Sequence, residues 1–508
     1  MNLLTEQWIP VRPLPTGASA KITLRVLLCE DGRWEICLPR DDMELAALQL
    51  LVCMIQVLFP PKDAADLKQR IVSCLPKETF DGGCTPYRDW FQIDHPDYPF
   101  MQVRGVEAKE ATPMEKLLAG LTGATNSCFV NEPGLGARLC GGCAAIALFN
   151  QSSNAPSFGG GFKGSLRGAA PITTLVQGEH LRQTVWLNVL SEDRLIESIP
   201  WYRETRNQRP TCVDPIIAGK TIQAQKIGLF RGLFWQPAHI ELMPPAEQRV
   251  CSCCGSTEEI TYRGFDKAKF SFTVTGLWPH PHGPRISMAK KGERIEKFIS
   301  FTTTAPAWTL LSRFVVQRQM ENDKTAGQEP AAVIRQAQRL VKGLRLNVGG
   351  YRTNKASILE RRHELIFLND GWSDHVDIVH ELVALATGYR DALNKALFDF
   401  VHGFKKKKIK GAGVEVREVA QKQFYRRSEV TVLDALSLIN FSDPAPVLLT
   451  MGEKLHQITE TLFNESVGPY LSDPELIRTI AISRKTLRKH LKALKPQQDG
   501  RSEDGKKT

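Results

Sequence analysis

The sequence lacks a long apolar stretch. Its longest apolar run, residues 45–60, is interrupted by Gln49 and Gln56, and it is shorter than the about 20 residues that a membrane-spanning helix requires. The opening residues, MNLLTEQWIPVR, contain no basic segment followed by an apolar one, which is the pattern of a secretory signal peptide. We therefore expect a cytoplasmic protein without a membrane partner.

Sequence patterns of common enzymes are also missing. We find no nucleophile elbow, no nucleotide-binding P-loop, no convincing cluster of acidic metal ligands and no internal repeat. Such motifs carry catalytic groups at fixed spacings. Their absence favours a binding protein over an enzyme.

The stretch SFGGGFKGSLRG, residues 157–168, is unusually rich in glycine. Gly159, Gly161 and Gly164 have the G-x-G-x-x-G spacing of dinucleotide sites. Such a site requires a strand before it and a helix after it, whereas here turn-forming NQSSNAP precedes and Gly168 follows too closely for a helix. The stretch is therefore either a flexible surface loop or a loop whose bare backbone approaches a ligand closely, since glycine has no side chain to collide with it.

The charge of the chain is strongly positive. The 508 residues carry a net charge of +11, and the last 108 contain 20 basic residues against 13 acidic ones. Apolar residues make up 42% and charged residues 24%, the balance of an ordinary soluble protein with two or three domains. A basic protein of this kind is expected to bind a polyanion.

Four of the twelve cysteines form two C-x-x-C pairs. CGGC contributes Cys140 and Cys143, and CSCC contributes Cys251 and Cys254, with Cys253 left over. Four thiolates complete a structural zinc site, although more than a hundred residues separate these pairs, compared with about 15–20 in an ordinary zinc ribbon. We predict a structural Zn²⁺ held by the four residues; an iron–sulfur cluster, which also takes four thiolates, and two unrelated cysteine pairs are the alternatives.

The chain changes character near residue 370. Before it, β-like runs such as KITLRVLLC, RWEICLP and KFSFTVTGLW alternate with helical segments and many glycine or proline breaks, which indicates an irregular mixed α+β domain of the α/β class. One buried helix is predicted to open with a capping box at Asp41 and Glu44. We assign residues 1–370 to this domain, 371–497 to an all-α domain and 498–508 to a disordered polar tail.

The predicted all-α domain contains four amphipathic segments joined by short loops. Apolar residues recur every three or four positions in residues 378–400 and again in residues 448–462. The second segment, residues 414–438, is less regular, and the fourth is predicted to begin at residues 473–474, where aspartate precedes proline. Four such helices with short connections favour a four-helix bundle.

Basic residues cluster at three places. Lysines occupy positions 405–408 and 410 at the end of the first bundle helix, and MAKKGE places Lys290 and Lys291 at a predicted hairpin turn. The fourth helix carries Arg484, Lys485, Arg488, Lys489, Lys492 and Lys495. Acidic residues do not alternate with these bases, so i,i+4 ion pairs cannot neutralise that face. A solvated surface would account for such charge, but a phosphate backbone is its natural partner.

Two further stretches carry weaker signals. GLWPHPHGP places His280 and His282 two positions apart, but no carboxylate lies near them in sequence, so we predict a plain loop rather than a metal site. GGYRTNKASILERR, residues 349–362, has the polar turn 353–356 between two β-like segments. That pattern is typical of a β-hairpin.

Many short motifs, taken in chain order, resemble one family: CasA, the large subunit of the type I-E CRISPR surveillance complex, Cascade. They run from residue 1 to beyond residue 410 and comprise MNLL, WIPVRP, LPRDDMELAAL, YPFMQVRGV, TPMEKLLAG, GATN, CGGC, ALFNQ, FGGGFK, RGLFWQPAHIEL, CSCCG, GLWPHPH, GGYR, ASILERRH and KGAGV. The resemblance implies a non-catalytic DNA-recognition subunit, in a complex where base pairing with a guide RNA reads the target.

The resemblance also assigns a role to the glycine loop. It implies a subunit that reads the protospacer-adjacent motif (PAM) of double-stranded DNA from the minor groove, which is about 6 Å wide. The implied PAM-reading residues are Gly159, Gly160, Gly161, Lys269, Asn354, Lys355 and Ala356. Of these, residues 354–356 match a wedge that enters the duplex beside the motif and starts strand separation. A family member carries glutamine at the wedge tip, where this chain has Lys355.

The resemblance implies further partners. Phe129, Val130 and Asn131 match a loop that contacts the guide RNA and the neighbouring backbone subunit. The bundle matches a domain that meets the small subunits and the displaced DNA strand and helps to recruit a helicase–nuclease; a guide-processing subunit completes the complex. The expected contacts with the DNA backbone are Lys290, Lys291, Arg484, Lys485, Arg488 and Lys489. A stand-alone, zinc-stabilised protein that binds double-stranded DNA and a metal-dependent nuclease are the alternative functions.

Overall fold

The computed structural model describes residues 1–121, 134–246, 249–290, 293–320, 326–406 and 415–494. The chain divides into two compact units, the first comprising Met1–Thr303, Arg313–Val341 and Arg345–Leu365 and the second comprising Thr304–Ser312, Lys342–Leu344 and Ile366–Thr508. The domain boundaries given by the sequence stay predictions, and the predicted tail at 498–508 lies outside the described residues. No helix in the described ranges is long and apolar enough to cross a membrane.

Fifteen α-helices lie within the described residues. They are α1 (Leu24–Cys29), α2 (Asp41–Leu58), α3 (Ala64–Val72), α4 (Lys77–Cys84), α5 (Gly141–Ser153), α6 (Leu181–Leu187), α7 (Glu192–Ser198), α8 (Tyr202–Thr205), α9 (Leu229–Leu233), α10 (Leu311–Val315), α11 (Ala332–Ala337), α12 (Val376–Lys406), α13 (Val416–Leu438), α14 (Ala445–Val467) and α15 (Ile477–Leu494).

The strands are short, and those in the described part of the chain form sheets of only two or three strands. They are β1 (Ile9–Pro13), β2 (Ala20–Ile22), β3 (Trp34–Ile36), β4 (Thr112–Pro113), β5 (Leu139–Cys140), β6 (Thr173–Val176), β7 (Thr221–Gln223), β8 (His239–Leu242), β9 (Arg249–Val250), β10 (Thr257–Glu258), β11 (Thr261–Tyr262), β12 (Gly264–Ala268), β13 (Thr273–Thr275), β14 (Arg285–Lys290), β15 (Glu293–Phe298), β16 (Gly327–Glu329), β17 (Leu344–Asn354) and β18 (Ser357–Leu368).

Two buried helices form the centre of the first unit. Every residue of α5 is buried, nearly every residue of α2 is buried, and the two helices pack against each other. Asp41 and Glu44 lie in the first turn of α2, but the predicted capping box is wrong in detail. The N-cap residue is Arg40, which makes no side-chain cap bond, and Glu44 instead accepts a hydrogen bond from the backbone N–H of Leu38 at 3.0 Å.

One predicted strand is largely a helix. In KITLRVLLC only the first residues belong to β2, and the remainder forms α1. The Thr23 side chain accepts a hydrogen bond from the backbone N–H of Val26 at 3.1 Å and so caps the helix. This local bond gives the segment a helical start, which the apolar pattern alone did not predict.

Two small sheets position the glycine-rich segment and the hairpin. Strand β6 follows residues 157–168 and pairs antiparallel with β17, Val176 lying opposite Leu346. Strand β17 pairs in turn with β18, and these two strands form the predicted hairpin. Strand β12, which leads directly into Lys269, lies between β4 and β8. The segments that flank all three predicted DNA-reading elements are therefore held in sheets of the first unit.

The second unit contains the predicted four-helix bundle. Helix α12 packs against α13, α14 and α15, and α13 packs against α14. The fourth helix begins at Ile477, later than predicted, because residues 474–476 form a turn in which the Asp473 carboxylate accepts a hydrogen bond from the backbone N–H of Glu475 at 2.9 Å. The predicted fold class, an irregular mixed α/β part with a C-terminal all-α four-helix bundle, is confirmed.

Candidate nucleic-acid interface and metal centre

The glycine loop is exposed and held in left-handed backbone conformations. The φ angles of Gly159, Gly160 and Gly161 are +76°, +55° and +90°, a region that residues with a side chain avoid. Gly160 and Gly161 are exposed, and a Cβ on Gly160 would meet no atom within 4 Å. Glycine at position 160 is therefore required by the backbone conformation and not by neighbouring atoms of the protein.

Lys269 lies directly against this loop. Its Nζ donates a hydrogen bond to the backbone carbonyl of Gly160 at 3.1 Å, and a Cβ on Gly161 would lie 3.5 Å from the same nitrogen. The backbone N–H groups of Gly160 and Gly161 have no hydrogen-bond acceptor among the described residues. The loop thus presents, in two exposed residues, backbone N–H donors without an acceptor among the described residues, beside an ammonium group.

The tip of the β17–β18 hairpin meets the other side of the loop. A Cβ on Gly159 would lie 3.5 Å from the Cβ of Ala356. Asn354 ends β17, and Lys355 with Ala356 forms a two-residue turn before β18. Asn354 and Lys355 are exposed, and Lys355 has a φ of +55°, a conformation that costs roughly 1–2 kcal/mol for a residue with a Cβ. The structure therefore brings the three predicted PAM-reading elements together on one surface.

A buried arginine closes the base of the loop. Arg167 is 4% exposed, and its Nη1 donates to Thr173 Oγ1 at 3.0 Å. Its Nη2 donates to the Ser153 carbonyl at 3.0 Å and to Asn154 Oδ1 at 2.5 Å. Burial lowers the pKa of Arg167 to about 9, against the opposing effect of Cys53. Sequence reasoning counted Arg167 only as a basic residue, because nothing in the local sequence distinguishes a buried arginine from an exposed one.

Aromatic packing anchors the start of the loop. The ring of Phe158 lies 5.9 Å from that of Phe265 in β12, and Lys267 Nζ lies 5.4 Å from the centroid of Phe158. The same Nζ donates to Thr112 Oγ1 at 2.6 Å, and burial lowers the pKa of Lys267. Lys267, which the sequence did not single out, therefore stabilises β12, the strand that leads into Lys269.

A buried polar network holds the base of the hairpin. Tyr351 Oη donates to Asp42 Oδ2 at 2.8 Å and accepts from Asn150 Nδ2 at 2.7 Å. Arg40 donates to the same Asp42 oxygen at 2.7 Å and to the Ala119 carbonyl at 2.7 Å. Burial and the Asp42 charge raise the pKa of Tyr351. The network links β17 to the two central helices of the first unit.

The four predicted metal ligands lie together. The sulfurs of Cys140, Cys143, Cys251 and Cys254 are all within 4.8 Å of one another, and those of Cys140 and Cys254 are 3.8 Å apart. A tetrahedral ion with metal–sulfur bonds of about 2.3 Å holds its sulfurs about 3.8 Å apart. The arrangement therefore fits a single tetrahedral ion; Cys253 is buried but does not belong to the group.

The backbone brings the two cysteine pairs together. Strand β5, which contains Cys140, pairs with β11, and the β9–β10 hairpin frames Cys251 and Cys254. The backbone N–H of Cys140 donates to the Cys251 sulfur at 3.3 Å. Hydrogen bonds from Cys140, Cys143 and Cys251 lower the pKa of Cys254. In contrast, hydrogen bonds with the other cysteines and burial raise the pKa of Cys143, so a bound cation would be needed to keep all four residues as thiolates.

Lys21 supports the metal centre from outside the four ligands. Its Nζ donates to the Cys140 sulfur at 3.1 Å and forms an ion pair with Glu258. Burial opposes the charge of Lys21, but Cys140 and Glu258 raise its pKa above the ordinary value. Four thiolates around a divalent ion would carry a net negative charge, which this ammonium would offset. Sequence reasoning missed Lys21 because it lies more than a hundred positions before the first ligand.

The two histidines of GLWPHPHGP lie in a loop, as predicted, but both are buried. With Cys53 they form a group whose ligand atoms lie within 4.8 Å of one another, and Gln49 Nε2 is 3.3 Å from His282 Nδ1. Burial, with the nearby charge of Arg167, lowers the pKa of His282 to about 3 and that of His280 well below its usual range. The adjacent arginine disfavours another cation, so the group is best described as a neutral polar cluster in the core.

The predicted DNA-backbone residues of the bundle lie on α15. Lys485, Arg488 and Lys489 are exposed, and Arg484 is half-buried, its Nη2 donating to Asn464 Oδ1 at 3.2 Å. The charged face of this helix is therefore accessible within the second unit.

The remaining predicted contacts are only partly described. In the first unit, Lys290 ends β14 opposite Glu293 of β15, so the predicted hairpin is present. Lys291 lies outside the described residues, as do Phe129, Val130 and Asn131.

Comparison with known proteins identifies a family. The model for CRISPR-associated protein Cse1 matches residues 2–463. A curated relative from Thermus thermophilus, CRISPR-associated protein CasA/Cse1, is 28% identical over 202 residues, which is 37% of this chain and 39% of the relative.

Solved structures share the fold. Thermobifida fusca Cse1 has a TM-score of 0.72 at 17% identity, covering 97% of this chain and 98% of that one. A chain of a CRISPR RNA-guided surveillance complex has a TM-score of 0.63 at 12% identity, covering 96% and 99%. These likenesses concern the fold, whereas the family model spans most of the sequence. The chain therefore belongs to the family of CRISPR-associated protein Cse1.

Proposed function

We propose that the protein is the large subunit of a type I-E CRISPR RNA-guided surveillance complex (Cascade) and that it recognises the PAM in double-stranded DNA. The observation that carries this proposal is the meeting of the glycine loop, Lys269 and the hairpin turn on one exposed surface. Three segments that are distant in sequence form this surface. Membership of the Cse1 family and the likeness to a surveillance complex support the assembly.

The loop is suited to a narrow groove lined with acceptors. In the minor groove, adenine N3 and thymine O2 accept hydrogen bonds, and only guanine adds an amino donor. The exposed N–H groups of Gly160 and Gly161 are donors, and the Gly160 carbonyl already accepts from Lys269. Backbone donors match acceptors that several base pairs share, so we expect a permissive set of motifs rather than one sequence.

The hairpin turn is proposed to separate the first base pairs. A two-residue tip on paired strands is narrow, and its base is fixed by the bonds of Tyr351 to Asp42 and Asn150. The Lys355 side chain can place its aliphatic stem against a base and its ammonium at a phosphate. Such wedges offset a few kcal/mol of unstacking with new contacts.

The remaining parts of the proposal concern partners. Phe129, Val130 and Asn131 would contact guide RNA and the backbone subunit, and the bundle would meet the small subunits, the displaced strand and the helicase–nuclease. The four cysteines would hold a structural Zn²⁺ that keeps the ends of a long chain segment together. An iron–sulfur cluster fits less well, because its several iron atoms hold the cysteine sulfurs farther apart than a single ion does. We propose that the protein binds nucleic acid without cutting it.

A pair of matched substitutions tests the recognition surface. Gly160→Arg adds a side chain in the space where the loop backbone would enter the minor groove. Gly105→Arg is the control, because Gly105 is also exposed, has a φ of +72° and has no atom within 4 Å of a built Cβ. Both changes impose similar backbone strain and the same charge. Only Gly160→Arg should reduce binding of the assembled complex to PAM-containing duplex to the level seen without the motif; equal effects would refute the assignment.

Purification from the native host tests the assembly. Recovery of guide RNA and sister subunits with the protein is the expected result. Recovery of the protein alone, still binding duplex DNA, would favour a stand-alone binding protein. Cleavage of DNA by the purified protein with added magnesium or manganese would favour a nuclease.

A further inference from the structure

The proposed function has the bundle meet the displaced strand but assigns no pocket to that contact, and the bundle carries one. It has a volume of about 320 Å³ and lies entirely within the second unit. It is lined by Asn394, Lys395, Phe398, Asp399, Arg417, Thr486 and His490. These residues come from α12, α13 and α15.

An exposed aromatic ring forms part of the wall. Phe398 is 52% exposed, although burial of such a ring is strongly favoured in water. The guanidinium carbon of Arg417 lies 5.1 Å from the centroid of the Phe398 ring, and the His402 ring lies 6.0 Å from it at an interplanar angle of 10°. Three flat groups therefore stand beside one another at the surface of the bundle.

The arginine in this group is held in place. Its Nε and Nη2 donate to Asn394 Oδ1 at 3.0 and 2.9 Å. Among the described residues Arg417 has an amide rather than a carboxylate as its hydrogen-bond partner, and an amide does not neutralise the guanidinium charge. The carboxylate that does line the pocket, Asp399, accepts a hydrogen bond from Thr486 Oγ1 at 2.6 Å. Arg417 and the exposed Lys395 thus leave the pocket with a positive charge.

We propose that this pocket, the Phe398 pocket, binds a nucleobase and the adjoining phosphate of unpaired DNA. Bases stack on aromatic rings and on arginine planes, and such stacking needs no particular base. Phosphate would interact with Lys395 and Arg417. The exposed Lys485 and Lys489 lie on α15 next to Thr486 and His490 in sequence, and they extend the positive surface for a continuing strand.

The proposal rests on the proposed function in one respect. A protein that opens duplex DNA generates an unpaired strand. Unpaired DNA is therefore the expected ligand of a site that stacks on a base of any identity. Stacking requires an unpaired base, so the same pocket should bind a closed duplex poorly.

Short oligonucleotides test the pocket directly. The purified full-length protein is titrated with fluorescein-labelled oligo-dT and with a matched strand that lacks bases. Phe398→Ala should weaken binding of oligo-dT by about 5- to 150-fold, the range found for loss of one stacked base. Ile482→Ala is the control, because Ile482 is also 52% exposed and lies on α15 outside the pocket.

Two comparisons separate stacking from charge and from misfolding. The wild type should prefer oligo-dT to the abasic strand, and Phe398→Ala should lose this preference without changing the salt dependence of binding. Replacement of Arg484, Lys485, Arg488 and Lys489 by alanine should instead weaken binding of both oligonucleotides equally and flatten its salt dependence. Phe398→Trp, which keeps an aromatic ring at this position, should retain the preference for oligo-dT. A folding defect caused by substitution at position 398 could not explain that difference from Phe398→Ala.

Several outcomes would overturn the proposal. One is that Phe398→Ala still prefers oligo-dT to the abasic strand. Another is that Ile482→Ala loses as much affinity for oligo-dT as Phe398→Ala does. A third is that the protein binds RNA more tightly than DNA of the same sequence. PAM binding by the Gly160→Arg and Gly105→Arg pair is measured on duplex DNA. Failure of duplex recognition is therefore distinguishable from failure of the Phe398 pocket.

Discussion

We predict that replacing Lys355 by alanine will separate the proposed opening of DNA from its recognition. Lys355 is exposed and lies at the tip of the hairpin with a φ of +55°. Alanine also carries a Cβ, so it retains the same backbone strain of roughly 1–2 kcal/mol. The substitution therefore removes the side-chain stem and its charge with little effect on folding.

The size of the effect follows from the stacking that the wedge replaces. One step of DNA stacking is worth about 1.4 kcal/mol on average. If the stem of Lys355 compensates for one disrupted step, its loss should slow opening of the first base pairs about tenfold. Binding to the motif itself should fall much less, because the contacts of Gly160 and Lys269 do not depend on Lys355.

The assay compares fully paired targets with targets whose base pairs beside the motif are already mismatched. Permanganate reactivity of unpaired thymines reports opening, and filter binding reports affinity. Pre-melted DNA should restore Lys355→Ala to near wild-type behaviour, since the unstacking has already been done. It should not restore Gly160→Arg, whose defect precedes opening. Rescue of both variants to the same degree, or of neither, would show that loop and hairpin do not have separate roles.

Two further predictions concern the metal centre and the buried histidines. Elemental analysis should find about one zinc ion per chain in the wild type and none in Cys140→Ser. In calorimetry, Cys140→Ser should lower the thermal midpoint of unfolding more than Cys253→Ser does. A protein that contains neither zinc nor iron would contradict the assignment. Because the pKa of His282 is lowered to about 3 from about 6.5 in the unfolded chain, unfolded chains bind the extra proton. This histidine should therefore lower the free energy of unfolding by about 2 kcal/mol between pH 7 and pH 5. In urea titrations His282→Gln should remove that part of the pH dependence, and parallel curves for the two proteins would refute it.

Local patterns in the sequence predicted individual elements of the molecule. The bundle helices follow from apolar residues at helical spacing, and the β17–β18 hairpin follows from a polar turn between β-like segments. The start of α1 was missed because one hydrogen bond, from Val26 to Thr23, outweighed the apolar pattern. The start of α15 was placed too early because Asp473 caps a turn rather than the helix itself.

Local sequence patterns could not predict which segments distant in the chain would lie against one another. The contact of Lys269 with Gly160 joins residues 109 positions apart, and only the resemblance to a family suggested that these segments act together. Arg167, Lys267 and Lys21 received no role because burial of a charged side chain depends on distant acceptors. His280 and His282 were correctly placed in a loop, yet their burial depends on α2 and could not be read from GLWPHPHGP.

The distance between the two cysteine pairs also sets an order of events during synthesis. Cys140 precedes Cys254 by 114 residues, so at 5–20 residues per second it leaves the ribosome roughly 6–23 s earlier. During that interval Cys140 and Cys143 lack the other two predicted ligands, Cys251 and Cys254. A nascent chain interrupted before Cys254 cannot complete the proposed four-thiolate site. If the four cysteines hold an ion as proposed, the site can close only after both cysteine pairs have left the ribosome.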